Sequence, residues 1–156
     1  MASAFEVFTR AERLERASAE LYGLLSRRFP WSDEDRALLQ RLAEEATQHA
    51  ARVRLLSAQY RNDPRTVRVD AAALASVELM ERAIEELVAD IQRGRWNDDL
   101  VGLKARIADL EGEGQASHAD LLAEGSDPRV KTFFRELARQ DHSHRALLLG
   151  SVLKTA

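Results

Sequence analysis

Side chains that can bind metal ions occur in two related sets along this chain. Glu15 is followed by His49, and about 96 residues later Glu111 is followed by His144, as expected for an internal repeat. Carboxylates and imidazoles are the ligands that iron, manganese and zinc take from proteins lacking cysteine. Two copies of a helix hairpin, each with an acid on the first helix and a histidine on the second, could therefore surround a metal.

The repeat is asymmetric at one position that matters for metal binding. Tyr22 aligns with His118, and Ala46 aligns with Asp141. Residues three apart share one face of a helix, so Asp141 and His144 can approach the same ion. Ala46 precedes His49 by the same interval but carries no ligand atom. The first copy has thus lost a carboxylate that the second copy keeps.

Composition limits the function further. The chain has 156 residues, which fits a single domain over 1–156, and its formal charge of −3 gives no electrostatic reason to expect nucleic-acid binding. It contains no cysteine, which excludes disulfides, thiolate nucleophiles and cysteine-bound iron or zinc. Any redox chemistry must therefore use oxygen and nitrogen ligands.

The apolar residues are too interspersed with charges for a targeting or membrane segment. The first nineteen residues carry several arginines and glutamates and lack the apolar stretch of a signal peptide. No later run approaches the roughly 20 apolar residues of a membrane span. We expect a cytoplasmic protein that binds neither membranes nor nucleic acid.

The spacing of apolar residues predicts five long helices. The first runs over 4–28, and the second follows a Ser32 N-cap and reaches Tyr60. After a linker at 61–68, a third begins at Asp70 and ends at Gly94. A fourth covers 98–123 despite Gly112 and Gly114, and a fifth, capped by Asp127, ends near residue 153.

Helices of this length need long partners, so the pattern favours an all-α bundle. A helix of about 25 residues spans about 37 Å, and such helices usually pack up and down beside one another. We expect one hairpin over 4–60, a second over 98–153, and a crossover helix over 70–94 between them.

Two local motifs carry a family resemblance. Glu15 is followed seven residues later by the aromatic Tyr22, and residues 42–50 read Leu-Ala-Glu-Glu-Ala-Thr-Gln-His-Ala. The chain resembles the rubrerythrin branch of the ferritin-like superfamily, whose second-helix signature is similar to Leu-Ala-Glu-Glu-Glu-x-x-His-Ala. The resemblance implies a ferritin-like four-helix bundle of two hairpins joined by an extra crossover helix. A cysteine-bound rubredoxin domain is absent from this chain.

The resemblance also implies a set of metal ligands, part of which has changed. In a di-iron carboxylate bundle, two helices each supply a Glu and two others each supply a Glu-x-x-His pair. Ala46 occupies one of those glutamate positions, and Glu45, four residues before His49, could partly replace it. The candidate metal ligands are Glu15, Glu45, His49, Glu111, His118, Asp141 and His144. A single-metal site beside the second hairpin, from Glu111, Asp141 and His144 with Glu15, is the simpler expectation.

Two functions from different classes follow. The resemblance implies a metal-binding protein that handles iron or reduces peroxide, with iron, manganese or another divalent metal as one ion or two, and with an electron donor if it is redox-active. The alternative is a non-catalytic helical bundle that has lost the di-iron centre and acts through protein partners or self-association, for example as a homodimer. Ala46 leaves open whether the chain is an enzyme.

Overall fold

The structure, a computed structural model, describes residues 4–60, 71–111, 117–125 and 128–154. Within these ranges the regular structure is entirely helical, which confirms the all-α prediction. The six helices are α1 (Ala4–Arg28), α2 (Asp33–Tyr60), α3 (Ala71–Gln92), α4 (Leu100–Leu110), α5 (His118–Gly125) and α6 (Pro128–Gly150). The predicted linker at 61–68 and the predicted caps Asp70 and Asp127 lie outside the described residues.

The turn between α1 and α2 forms as the sequence predicts. The hydroxyl oxygen of Ser32 accepts a hydrogen bond from the Asp35 amide at 3.1 Å, so Ser32 caps α2. Asp33, Glu34 and Asp35 occupy the first turn, where carboxylates favour the positive end of the helix dipole. The Trp31 indole N–H donates to the Leu25 carbonyl at 2.8 Å and fixes the returning chain against α1.

The Ser32 cap gives a test of the first hairpin. We expect Ser32→Ala to lower the free energy of unfolding by about 1 kcal/mol, because an amide at the start of α2 loses its acceptor. Urea unfolding followed by circular dichroism measures this. Ser143→Ala is the matched control, since Ser143 is exposed within α6 and should change stability little. Equal losses in both variants would contradict a capping role.

A glycine ends α3 close to the predicted position. Gly94 has φ +81°, and its N–H donates to the Ile91 carbonyl at 3.0 Å. A side chain here would be strained by this backbone conformation, and its Cβ would lie 2.9 Å from Asn97 Nδ2. The following helix then starts at Leu100, where Asp99 accepts a hydrogen bond from the Gly102 amide at 2.8 Å.

The prediction of one continuous helix over 98–123 is wrong. The described chain has α4 ending at Leu110 and α5 beginning at His118. The sequence between them contains Gly112 and Gly114, each costing a helix interior up to about 1 kcal/mol relative to alanine. Residues 112–116 themselves lie outside the described part of the chain. The last helix also stops at Gly150, with a turn over 151–153 where helix was predicted.

The helices pack as two pairs with α3 beside both. The most extensive contacts are between α1 and α2, followed by those of α1 with α3 and of α5 with α6, while α3 also contacts α5. Phe8 on α1 stacks on Phe134 of α6 with ring centroids 5.8 Å apart, so the pairs share a core. Arg10 of α1 forms ion pairs with Glu78 and Glu81 of α3. None of the described helices is long and apolar enough to cross a bilayer.

Candidate metal centre

Three helices bring potential metal ligands together in the protein interior. Glu15 comes from α1, His49 from α2 and Asp141 from α6, and one ligand atom of each lies within 4.8 Å of the other two. Glu15 is only 2% exposed, His49 is also buried, and Asp141 is partly buried. The helix faces that carry these residues point inward because each is flanked by core leucines, such as Leu14 and Leu42. The cluster therefore combines two carboxylates and an imidazole in a largely buried position.

His118, the first residue of α5, adds a second imidazole to this cluster. Its Nε2 lies 3.0 Å from Glu15 Oε1, and its Nδ1 lies 3.6 Å from Asp141 Oδ2. The side chain is buried, so water screens these charges poorly. His118 is one of the ligands predicted from the sequence, although it aligns with Tyr22 in the repeat.

Several polar atoms in this cluster have no hydrogen-bond partner among the described residues. They are Glu15 Oε1, His118 Nε2 and Asp141 Oδ2, all buried. The 3.0 Å approach of Glu15 to His118 is an ion pair without hydrogen-bond geometry. Buried polar atoms without a hydrogen-bond partner are rare in folded proteins, and a bound ion is one explanation for them.

The residue types and spacing suit a divalent metal. Carboxylate oxygens and imidazole nitrogens bind such ions at about 2.0–2.2 Å, so two ligands of one ion lie at most about 4.4 Å apart. The ligand atoms of Glu15, His49 and Asp141 lie within 4.8 Å of one another, which is close to this limit. Glu15, His49 and Asp141 are therefore spaced much as the ligands of one ion would be, and His118 lies against Glu15 and Asp141.

His49 is held by a contact that the sequence analysis missed. Its Nε2–H donates to Gln140 Oε1 on α6, and the Gln140 amide in turn donates to Glu136 Oε1 at 3.3 Å. The opposite ring nitrogen, Nδ1, then faces Glu15 Oε2 at 3.6 Å. Metal-binding histidines are commonly oriented by such a hydrogen bond from the second ring nitrogen. The sequence could have indicated Gln140, because it lies four residues before His144 and therefore on the same face of α6.

Charge distribution in the cluster is set by burial and by close pairing. Burial alone disfavours the Glu15 carboxylate, but the imidazoles of His118 and His49 outweigh it and lower the pKa of Glu15 to about 2. Burial similarly disfavours the His118 imidazolium, yet Glu15, Asp141 and Glu111 raise its pKa to about 9. Glu15 is therefore ionised and His118 protonated at neutral pH when no metal is bound.

Asp141 responds in the opposite direction from Glu15. Its burial, together with the negative charges of Glu15 and Glu111, raises the pKa of Asp141 to about 7, although His118 and His49 oppose this. A buried carboxyl beside other carboxylates is costly to ionise. A divalent cation placed among these groups would remove that cost. The metal-free cluster thus carries a carboxyl that binding of a cation would ionise.

These shifts predict how stability depends on pH in the metal-free protein. His118 has a folded pKa above its ordinary value, so its contribution is full below about pH 6.5 and is lost as pH rises through about 9. The raised pKa of Asp141 likewise makes the folded protein lose stability as pH rises from about 3.8 to about 7. Glu15 acts oppositely and loses its contribution as pH falls from about 4.5 to about 2. We expect easier unfolding near pH 9 than near pH 5.

The measurement is thermal unfolding of metal-free protein across this pH range, compared with the variant His118→Gln. Because glutamine does not titrate, we expect the variant to lose less stability between about pH 6.5 and about pH 9 than the parent. Parallel curves for the two proteins in that interval would show that His118 is not the group responsible.

Glu111 lies beside the cluster but is engaged by other residues. The Tyr22 hydroxyl donates to Glu111 Oε1 at 3.1 Å, and Arg145 Nε lies 3.7 Å from Glu111 Oε2. Burial and the charge of Glu111 raise the pKa of Tyr22, so the phenol stays protonated and remains a donor. Arg145 also donates to the Glu111 carbonyl at 3.3 Å. Arg145 was not predicted from the sequence, although it shares a face of α6 with Asp141 four residues earlier.

His144 and Glu45 form a pair at the edge of the cluster. His144 Nε2 contacts Glu45 Oε2, and its ring stacks on that of His49 with centroids 5.8 Å apart. Burial and the nearby His49 lower the pKa of His144. Of the residues expected in a single-metal site, the structure groups Asp141 and Glu15, and it places His49 with them where Glu111 and His144 were expected. His142, one residue off this face, is exposed and pairs with Asp120 at 2.8 Å.

A cavity of about 360 Å³ adjoins the cluster. Its wall includes the four grouped ligands together with Glu111, His144 and the buried methyl group of Ala46. Ala46 thus faces the same space as Glu15 and His49, where a longer acidic side chain would project toward them.

Comparisons with protein-family models, with curated proteins and with solved structures each found no match to this chain. What the protein does must therefore be inferred from its own residues.

Proposed function

We propose that this chain is a metal-binding protein that holds one divalent ion, iron or manganese, among Glu15, His49, His118 and Asp141. The observation that carries the proposal is that one ligand atom each of Glu15, His49 and Asp141 lies within 4.8 Å of the other two, with His118 against Glu15 and Asp141. Carboxylate and imidazole together suit these metals, and the chain has no cysteine to favour softer ones.

The arrangement of helices supports a ferritin-like bundle of the rubrerythrin type. The ligands come from α1, α2, α5 and α6, which form two contacting pairs, and α3 lies against α1 and α5 as a crossover helix could. The proposed ligand set departs from the resemblance in two ways. Glu111 is held by Tyr22 and Arg145, and His118 takes a place beside Glu15.

Iron or manganese bound here would supply one-electron redox chemistry and Lewis acidity, as required for iron handling or peroxide reduction. The surrounding residues have separate tasks. Gln140 orients His49, and Arg145 balances the charge of Glu111. Tyr22 keeps a phenolic hydrogen directed at Glu111, and the cavity gives a small molecule access to the cluster.

Anaerobic equilibrium dialysis of metal-free protein against Fe(II) or Mn(II), followed by elemental analysis, tests the proposal. We expect one tightly bound ion per chain, and dialysis against Ca(II) serves as the control because imidazole ligands disfavour that ion. Retention of substantially less than one iron or manganese per chain would overturn the proposal.

The contrary outcome would favour a non-catalytic bundle. Its support is the network in which Tyr22, Glu111 and Arg145 satisfy one another without any ion. On that reading Glu15 and His118 form only a buried ion pair that holds α1 against α5. Metal would then neither be retained in dialysis nor raise the melting temperature, since a ligand stabilises only the state that it binds.

A further inference from the structure

The cavity beside the proposed metal site has one polar side and one apolar side. Its volume of about 360 Å³ is many times the roughly 10–15 Å³ that a single water needs, and lies within the range of small-molecule pockets. An ion bound by side chains would fill little of it. The polar side carries the metal ligands, and the apolar side is built mainly from α3, with Leu79, Met80, Ala83 and Ile84.

The apolar side runs from solvent to the interior. Leu79 is 65% exposed and lies at the mouth, Met80 and Ala83 are half-buried, and Ile84 is buried. A large apolar side chain exposed at the rim of a pocket gives the apolar part of a ligand a surface against which both can be removed from water. The gradient therefore orients a ligand with its polar end inside and its apolar end toward Leu79.

Ala46 makes room at the inner end. It lies three residues before His49, on the same helix face, and both residues line the cavity. In the second copy of the repeat, Asp141 stands three residues before His144 and joins the metal cluster. The first copy therefore lacks a carboxylate at Ala46. The cavity leaves space there for the carboxylate of a bound small molecule.

We propose that this cavity binds a short-chain monocarboxylic acid, with its carboxylate beside Ala46 as a ligand to the metal and its alkyl chain along α3 toward Leu79. This inference rests on the proposed function. Four protein donors leave an ion that prefers six ligands with open positions, and an external carboxylate replaces the missing side chain at one of them. An alkylammonium ion of similar size would instead bring positive charge to the cation.

Titration calorimetry with hexanoate, hexanol and hexylamine, on metal-free and Mn(II)-loaded protein, tests this. We expect hexanoate to bind the loaded protein at least about tenfold more tightly than either analogue. Because coupling between two ligands is reciprocal, hexanoate should raise the affinity for Mn(II) by the same factor that Mn(II) raises the affinity for hexanoate.

Variants at two positions locate the ligand. Ala46→Leu fills the inner end without supplying a carboxylate, so hexanoate binding should be lost while Mn(II) binding persists. Leu79→Ala should weaken hexanoate several-fold by removing apolar contact at the mouth. Leu55→Ala is the matched control, since Leu55 is 70% exposed on α2 and lies outside the cavity wall, and it should leave hexanoate binding unchanged.

Equal affinities for hexanoate and hexanol, or undiminished hexanoate binding in Ala46→Leu, would overturn the inference even if Mn(II) binds normally. If Mn(II) fails to bind, the proposed function falls separately. Even then, hexanoate binding to the metal-free protein would support the pocket if Ala46→Leu abolishes that binding. Absence of hexanoate binding to both the metal-free and the Mn(II)-treated protein would overturn the inference.

Discussion

Replacing Glu15 with glutamine is expected to weaken Fe(II) or Mn(II) binding by about 100-fold or more. Loss of a residue that merely orients a ligand costs about 10–100-fold in metal affinity, and loss of a direct ligand should cost at least as much. Glutamine keeps the shape of the side chain but loses the charge that pairs with His118 and His49. Equilibrium dialysis with elemental analysis gives the affinity, and circular dichroism reports whether the helices persist.

Two further variants make this result specific. Glu12→Gln changes a carboxylate on the same helix that pairs with the exposed Arg16, and it should bind metal like the parent. Glu111→Gln changes a buried carboxylate held by Tyr22 and Arg145, and its loss should be smaller than that of Glu15→Gln. A larger loss in Glu111→Gln would move the metal site to the second hairpin.

A substitution at a buried residue such as Glu15 can prevent folding, so Asp141→Asn provides a second test of the ligand set. Asp141 is partly exposed, and its charge is already disfavoured by burial, so the amide should be tolerated in the metal-free protein. We expect the same loss of metal binding as in Glu15→Gln. Full metal affinity in a folded Asp141→Asn protein would contradict the proposed ligand set.

Replacing Ala46 with glutamate should have a large effect in the other direction. The new carboxylate would project from the buried face of α2 into the cavity that Glu15 and His49 line. We expect metal stoichiometry to rise above that of the parent, toward two ions per chain, because a restored carboxylate pattern can hold a second ion. Metal affinity should also rise, because the added carboxylate supplies a further charged oxygen ligand.

The matched control is Ala46→Gln, which fills the same space without a charge. A gain in Ala46→Glu that is absent in Ala46→Gln would identify the carboxylate as the cause. Identical stoichiometry and affinity in the parent and both variants would show that the helices no longer frame a two-metal site.

Local signals in the sequence predicted much of the helical framework. Ser32 capped α2 as predicted because an N-cap depends only on residues within one turn. Gly94 similarly ended α3 through its positive φ. The break between α4 and α5 was not predicted, because apolar residues at helical spacing lie on both sides of Gly112 and Gly114 and favour one helix despite the low helix propensity of glycine.

The sequence predicted which residues contribute to the candidate site, but not which of them contact one another. Each of the seven candidate ligands was chosen by type and helix position, and the structure brings Glu15, His49, His118 and Asp141 together. Which of them meet depends on how α5 and α6 lie against α1 and α2, and helix spacing does not determine that arrangement. The same limit explains why Gln140 and Arg145 were missed, since their partners lie on other helices or more than 30 residues away.

A crystal soaked in Mn(II) or Fe(II), with an anomalous difference map, tests the central claim most directly. We expect one strong peak within bonding distance, about 2.0–2.2 Å, of ligand atoms from Glu15, His49 and Asp141, with His118 as a further ligand. An empty cluster in a crystal with metal bound elsewhere, or a peak held by Glu111 and His144 without Glu15, would contradict it.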